Sequence, residues 1–184
     1  MGTQPLETDR LLLRRYEMPD AEDMFRNWVT DAEAARFWGW EPHKDIGETK
    51  ALLSGWISEY ERPDVYHWVI VLKSNSQAIG YIYLNEIDGV EESVSVHFLL
   101  GRKYWNQGIM TEASARVITF AFSVLGVKKV CSRHHIDNPA SGRVQQKCGM
   151  RHVKTEQRDV PDCERISGKY LYYEITEARC SQSK

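Results

Sequence analysis

Positive charge is not in excess in this chain: 24 Lys and Arg stand against 26 Asp and Glu, a formal net charge of -2. The basic footprint that accompanies nucleic-acid binding is absent, so nucleic acid is not an expected partner. Long apolar stretches are missing as well. The longest clean run, Trp68-Val69-Ile70-Val71-Leu72, falls far short of the roughly 18 residues a membrane span needs, so no membrane role is expected. The amino terminus, Met1-Gly2-Thr3-Gln4-Pro5-Leu6-Glu7, carries no charged-then-apolar signal region. Leu6 also stands where a myristoylation signal requires Ser or Thr. The four cysteines, Cys131, Cys148, Cys163 and Cys180, form no CxxC pair. That excludes a readable zinc knuckle or redox dithiol and makes a reduced, cytoplasmic protein the default. No repeat or linker block interrupts the 184 residues, so one domain spanning 1–184, with a core over about 8–177, is expected.

What is present is ordinary globular material, 42% hydrophobic and 27% charged, which excludes a disordered scaffold. Leu11 to Tyr16 reads as a first strand, and Pro19 opens a helix with Asp20, Glu22 and Asp23 in its first turn, where the helix dipole favours acids. Asp45-Ile46-Gly47-Glu48 has capping-box spacing, and Leu52, Leu53, Trp56, Ile57 and Tyr60 follow at helical period before Pro63. Three strands are then expected over Tyr66–Lys73, Gln77–Glu86 and Glu92–Leu100, the last two joined by Asp88-Gly89 as a type I′ hairpin turn. A long helix runs from about Ile109 to Gly126, a strand from Lys129 to about Ile136, a helix to Gly149, and a final hairpin over about Met150–Glu177. The order implies an α+β protein with one crossover out of an antiparallel meander.

The segment from Phe98 to Ala113 is the most informative. A strand feeds a polar loop, and Gly108 stands at the start of the long helix. The first turn of a helix leaves about four N–H groups without partners and carries roughly half a positive charge. A glycine there lets an anion approach the main chain. The chemistry indicated is a phosphate or diphosphate held by the amides of about Gln107 to Thr111; the alternative is that Gly108 merely begins a helix. The glycines here fit neither GxGxxG nor GxxxxGKS/T, so nucleotide-binding readings fail on spacing.

Trp105-Asn106-Gln107-Gly108-Ile109-Met110-Thr111-Glu112-Ala113 resembles the Trp-Gly-x-Gly-Tyr-Ala-Thr-Glu-Ala signature of the GNAT N-acetyltransferases, in particular their Rim-type branch, whose name comes from acetylation of ribosomal-protein N-termini. Thr8-Asp9-Arg10-Leu11-Leu12-Leu13-Arg14 resembles that branch's opening strand, and Asn138 to Met150 its Asn-x-x-Ser element ending in Lys-x-Gly. The resemblance implies the GNAT acyl-CoA N-acyltransferase fold, a central mixed, largely antiparallel seven-stranded sheet flanked by about four helices. It implies acetyl-CoA as co-substrate and no metal. Trp105, Asn106, Gln107, Gly108, Ile109, Met110 and Thr111 would hold the diphosphate, and the main chain of Phe98, Leu99 and Leu100 would pair with the pantetheine amides as a surrogate strand would.

Acyl transfer from a thioester to an amine needs a deprotonated amine, donors for the developing oxyanion and a proton for the departing thiolate. The main-chain N–H near Leu99 or Leu100 is the donor by position. Asn138, followed by Pro139, reads as a helix cap; the resemblance adds a pantetheine contact for Asn138 and a place near the sulfur for Ser141, and both roles are compatible. Gln145 stands where many relatives carry a tyrosine acid, leaving Ser141 as the candidate acid. Ser95 stands where the branch often carries a glutamate base. His97, in a position customarily glycine, is a candidate proton relay or a packed passenger. Met110 is larger than the customary Ala or Gly. His134 and His135 are adjacent on a strand and point to opposite faces, so they do not form a metal site. Arg143 and Lys147, one helical turn apart, are either solvated charge or contacts for the ribose 3′-phosphate of CoA. Glu112 is expected to stabilise the helix dipole. Trp38 and Trp40, in an aromatic-dense region, are candidates for the acceptor wall. The function expected is direct acetyl transfer from acetyl-CoA to a primary amine, of a protein N-terminus or a small molecule, by a monomer or homodimer. The alternatives are a non-catalytic acyl-CoA-binding domain of the same fold and a regulatory protein that binds some other phosphate ligand.

Overall fold

The computed structural model describes residues 2–159 and 166–180. Cys163 and the side chain of Cys180 lie outside the described residues, whereas Cys131 is a free thiol. The strands are β1 (Leu6–Glu7), β2 (Leu11–Arg14), β3 (Tyr66–Leu72), β4 (Ala78–Asp88), β5 (Ser93–Leu100), β6 (Lys129–His135), β7 (Arg151–Arg158) and β8 (Gly168–Thr176). They form one sheet of eight in the order β1-β2-β3-β4-β5-β6-β8-β7, rather than the seven expected. The additional strand is the two-residue β1, whose existence depends on its register against β2, Leu6 opposite Leu13. Two residues carry no period of their own, so the pairing is a tertiary fact. Every neighbouring pair is antiparallel except β5 with β6, the crossover the element order implies.

The long helices are α3 (Ile46–Ser58), α4 (Ile109–Ser123) and α5 (Pro139–Lys147); α1 (Asp20–Met24), α2 (Ala32–Ala35) and α6 (Glu177–Cys180) are short. The helix expected after Pro19 is broken. After α1 the chain widens into a π-helical turn over Phe25–Val29, which buries Trp28, and restarts at α2, capped by the Asp31 side chain accepting from Glu33 N–H. α3 forms as its spacing predicts: the Asp45 carboxylate accepts from Gly47 and Glu48 N–H. Glu48 in turn accepts from Lys44 N–H. The type I′ turn at Asp88-Gly89 does not form. The Asp88 carboxylate instead accepts from Val90 and Glu91 N–H. The loop closes through Glu92 at φ 47, with Gly89 outside the left-handed region. A side chain that satisfies two amides outcompetes the tighter turn.

Core lies on both faces of the sheet. Leu11, Leu13, Trp68, Ile70 and Ile82 pack with α4 residues such as Val117 and Phe120 on one face. Val69, Val71, Tyr81 and Leu99 pack with Met24, Trp28 and Leu53 on the other. This is why β3 is apolar throughout rather than alternating.

Candidate active site

Two strands diverge at the centre of the sheet. β5 and β6 pair only at Ser93, Val94 and Ser95 opposite Lys129, Val130 and Cys131. Beyond that point each keeps its other neighbour, β5 pairing with β4 as far as Leu100 and β6 with β8 as far as His135. The apex is braced by side chains. Ser132 Oγ donates to the Val96 carbonyl at 2.9 Å, and the Gln145 amide of α5 donates to Ser132 Oγ at 2.9 Å. Gln145 is buried, so the residue at the customary acid position serves as a strut.

The main chain along the opening follows from strand alternation. The Val96 carbonyl faces β6, through Ser132. The Leu99 carbonyl faces β4, against Gly80. Phe98 and Leu100 therefore present their main chain to the opening, and Leu99 does not. The Leu100 carbonyl is taken by the Trp105 indole N–H at 2.7 Å. That leaves Phe98 N–H and C=O and Leu100 N–H along the open edge.

The opening continues into a cleft of about 450 Å³. Phe98, Leu99, Leu100, Trp105, Asn106, Gly108, Ile109, Met110 and Thr111 line one side, and Asn138, Ser141, Arg143 and Lys147 the other. At one end of it lies the start of α4. Gly108 adopts φ 73 and α4 has no side-chain cap. Asn106 is also left-handed, at φ 60, a conformation asparagine tolerates better than other side chains. Gln107 does not line the cleft: its side chain donates back to the Lys103 carbonyl.

The loop is pinned from a distance. Arg10 Nη1 donates to the Gln107 carbonyl at 3.0 Å, and its Nε and Nη2 grip the Glu112 carboxylate at 2.6 Å. Glu112 also accepts from Thr8 hydroxyl and Arg10 N–H. Partial burial would raise the Glu112 pKa, but the bonds from Thr8 and Arg10 outweigh it and hold the carboxyl below its ordinary value. Glu112 is thus an anchor tying the first-strand motif to the α4 motif as well as an acid in a first turn. No local pattern shows a partnership across 102 residues; only the presence of both motifs hinted that they meet.

Asn138 caps α5, its side chain accepting from Ser141 N–H at 3.3 Å, and it lines the cleft as well. Ser141 lines both the cleft and a small pocket between the diverging strands, which His97 also lines. His97 stacks on Tyr83, ring centroids 5.1 Å apart. The histidine pair on β6 is packed rather than paired: a Cβ on Gly142 would strike the His134 ring and one on Gly168 the His135 ring.

A second cavity of about 830 Å³ lies on the α3 side of the sheet and is lined by Trp38, Trp40, Trp56, His67, Tyr81 and Tyr83 among others. Trp38 lines this cavity and the cleft alike, so the two are neighbours across one indole. Glu86 stands at its rim. A β-bulge puts Glu86 at φ 51, and its carboxylate takes a two-pronged bond from Arg133 at 2.7 and 2.8 Å. Ser95 hydroxyl also donates to it. A carboxylate therefore reaches the Ser95 position after all, from the neighbouring strand, where linear alignment does not look. The Arg133 bonds outweigh its burial and hold its pKa down to about 2.

A carboxyl depressed in the folded state stabilises the fold above its unfolded value and loses that contribution as pH falls through the folded value. The Glu86–Arg133 pair should therefore stabilise the protein above about pH 4.5 and lose its effect on acidification to about 2. Solvent screening of a half-exposed pair limits the contribution to about 1 kcal/mol. Thermal melts of the native chain and of Glu86→Gln should differ by a few degrees at pH 6 and converge near pH 2. A gap that persists at pH 2 rules the account out.

The chain is similar to known proteins in sequence and in fold. A sequence model described as "Acetyltransferase (GNAT) domain" matches residues 10–151. The uncharacterized N-acetyltransferase YoaA of Bacillus subtilis (strain 168) is 27% identical over 145 residues, 79% of this chain and 81% of its own. Among solved structures, a candidate ribosomal-protein-serine acetyltransferase from Vibrio cholerae superposes with TM-score 0.82 at 16% identity, over 94% of this chain and 97% of that one. Spermidine N-acetyltransferase from Vibrio cholerae, solved with CoA and spermine, superposes with TM-score 0.75 at 16% identity, over 95% of this chain and 99% of that one.

Proposed function

The chain belongs to the GNAT acetyltransferase family, and on that premise we propose that it moves an acetyl group directly from acetyl-CoA to a primary amine, with its nearest affinity in the Rim-type branch. The observation that supports this most is the single cleft joining the open edge of β5 to the uncapped start of α4. The residues fit the co-substrate. Main-chain N–H groups of Ile109, Met110 and Thr111 suit a diphosphate, an anion at a helix N-terminus. Arg143 and Lys147 stand at the opposite wall, and their charge suits a further phosphate. Phe98 offers an N–H and a C=O to an amide-bearing arm, as an edge strand does for a peptide.

Acetyl-CoA, when bound, supplies the acetyl group as a thioester. Leu100 N–H is the main-chain donor left for the developing oxyanion, since Leu99 is turned toward β4. Ser141 Oγ, on the cleft wall, gives a proton to the departing sulfur in this reading. A covalent route through the enzyme is not supported: burial pushes the Cys131 thiol up, and Cys148 Sγ donates to the Thr111 carbonyl. Glu86, held ionised by Arg133 at about 2, is too weak a base to take the amine's proton near neutrality. The aromatic wall does part of that work, because burial in an apolar site disfavours a charged amine; the proton then passes to water.

Thiol release from acetyl-CoA over a panel of amines tests the reading. Release with at least one amine, together with a rise in melting temperature on adding CoA, supports it. A CoA-induced rise with no release from any amine indicates a non-catalytic acyl-CoA binder, and neither effect indicates a different ligand. Replacing Ser141 by alanine should lower kcat about tenfold, below the full range of acid catalysis because a thiolate leaves readily. It should change the KM for acetyl-CoA little. An unaltered kcat would assign Ser141 to the helix turn alone.

A further inference from the structure

The larger cavity bears on the identity of the acceptor, an inference that rests on the transferase reading. Tyr81 and Tyr83 on β4 and His67 on β3 share one face of the sheet, and Trp56 reaches them from α3. Trp56 lies 4.7 Å from His67 and 5.7 Å from Tyr81, centroid to centroid, while His67 lies 5.5 Å from Tyr83. Trp38 closes the box at 5.7 Å from Tyr81 and 6.2 Å from Tyr83. Trp38, Trp56 and Tyr83 are half-buried and line the cavity, whereas Tyr81 and His67 form its buried floor. Large rings half-open to a cavity suit a flat apolar ligand.

Charge narrows the class. The carboxylates lining the cavity are Glu59, Asp64 and Glu86. Asp64 is held by Arg62 at 2.9 Å and Glu86 by Arg133 at 2.7 Å. The cavity can match about one positive charge, not the several of a polyamine. Two ring nitrogens beneath the aromatic wall, Trp28 Nε1 and His67 Nε2, are buried and have no hydrogen-bond partner among the described residues.

We propose that the acceptor is a monoamine borne on a single flat ring system, an arylalkylamine, with its ring among Trp38, Trp56 and Tyr83 and its amine directed past Trp38 toward Leu100 and Ser141. The class excludes polyamines, and peptide ends are accepted only where the first side chain is aromatic.

The test measures thiol release from acetyl-CoA with 2-phenylethylamine, tryptamine, n-butylamine and spermidine, and quenching of tryptophan fluorescence by 2-phenylethylamine in the absence of acetyl-CoA. The ring-bearing amines should exceed n-butylamine and spermidine in kcat/KM by about tenfold or more, the scale on which an apolar pocket discriminates. Saturable quenching should accompany this. Trp56→Ala and Tyr83→Leu, each checked for a native-like melt, should bring the ratio close to one. Equal or better turnover of spermidine or n-butylamine overturns the assignment while leaving the transferase reading in place. Both variants keeping the full ratio overturns it too. Silence from every amine takes the transferase reading down with it.

Discussion

Valine in place of Gly108 should remove coenzyme A binding, with no rise in melting temperature on addition of CoA and a KM for acetyl-CoA raised on the order of a hundredfold or beyond measurement. Gly108 sits at φ 73, where a β-branched side chain is a genuine outlier. The left-handed conformation alone costs about 1–2 kcal/mol for an L-residue. The chain's relief is to rotate the loop, and that moves the first-turn amides of α4. Hydrogen bonds from such amides to a charged ligand contribute about 1.5–3 kcal/mol each, so losing alignment of two of them accounts for a hundredfold effect. Asn106→Gly separates strain from contact: Asn106 is also left-handed, at φ 60, and glycine relieves that position rather than straining it, so any loss of binding there reports the lost side chain and not a rotated loop. Undiminished CoA binding by Gly108→Val would mean that the diphosphate is held elsewhere.

The second large effect is expected at Gly80. A Cβ there would overlap the Leu99 carbonyl oxygen and sit 2.9 Å from Leu100 Cα. Both obstacles are main chain and cannot rotate away, so Gly80→Ala must push β4 from β5 or distort β5 beneath the cleft. Overpacking of this kind costs about 1–3 kcal/mol and more where backbone must move. We expect a fall in unfolding free energy of about 3 kcal/mol in urea titration, at the upper end of that range. Because Leu100 is the strained partner, CoA affinity should fall with it. Stability and CoA affinity both within error of the native chain would contradict the close approach.

Much of this site is legible in the chain because its chemistry is local. Gly108 before a helical pattern, Asn138-Pro139 before another, and the spacing Asp45 to Glu48 each describe a cap made within four residues. The structure places a cap or helix start at all three. Arg10 with Glu112, Glu86 with Ser95 and Arg133, and Ser132 with Gln145 are partners from different elements, and no window of sequence contains both members. The same limit explains why the assignment of Leu99 as oxyanion donor depends on strand parity: one residue of register exchanges the edge facing β4 for the edge facing the opening.

By itself, then, the order of residues determined most of the elements, though not β1, the break after Asp20–Met24 or the turn at Asp88, together with the reading of the 98–113 segment as a strand feeding a helix with an exposed start, and the family, since caps, periods and glycine positions are decided by neighbours within a few residues. Only the folded chain decided that β5 and β6 part after Ser95, that Gln145 is a strut, that a carboxylate arrives from β4, and that four aromatic rings gather with Trp38 into one box. Those outcomes depend on which strands lie side by side and in what register, and long-range pairing is set by the burial of two whole sheet faces at once, a quantity that no single stretch of sequence contains.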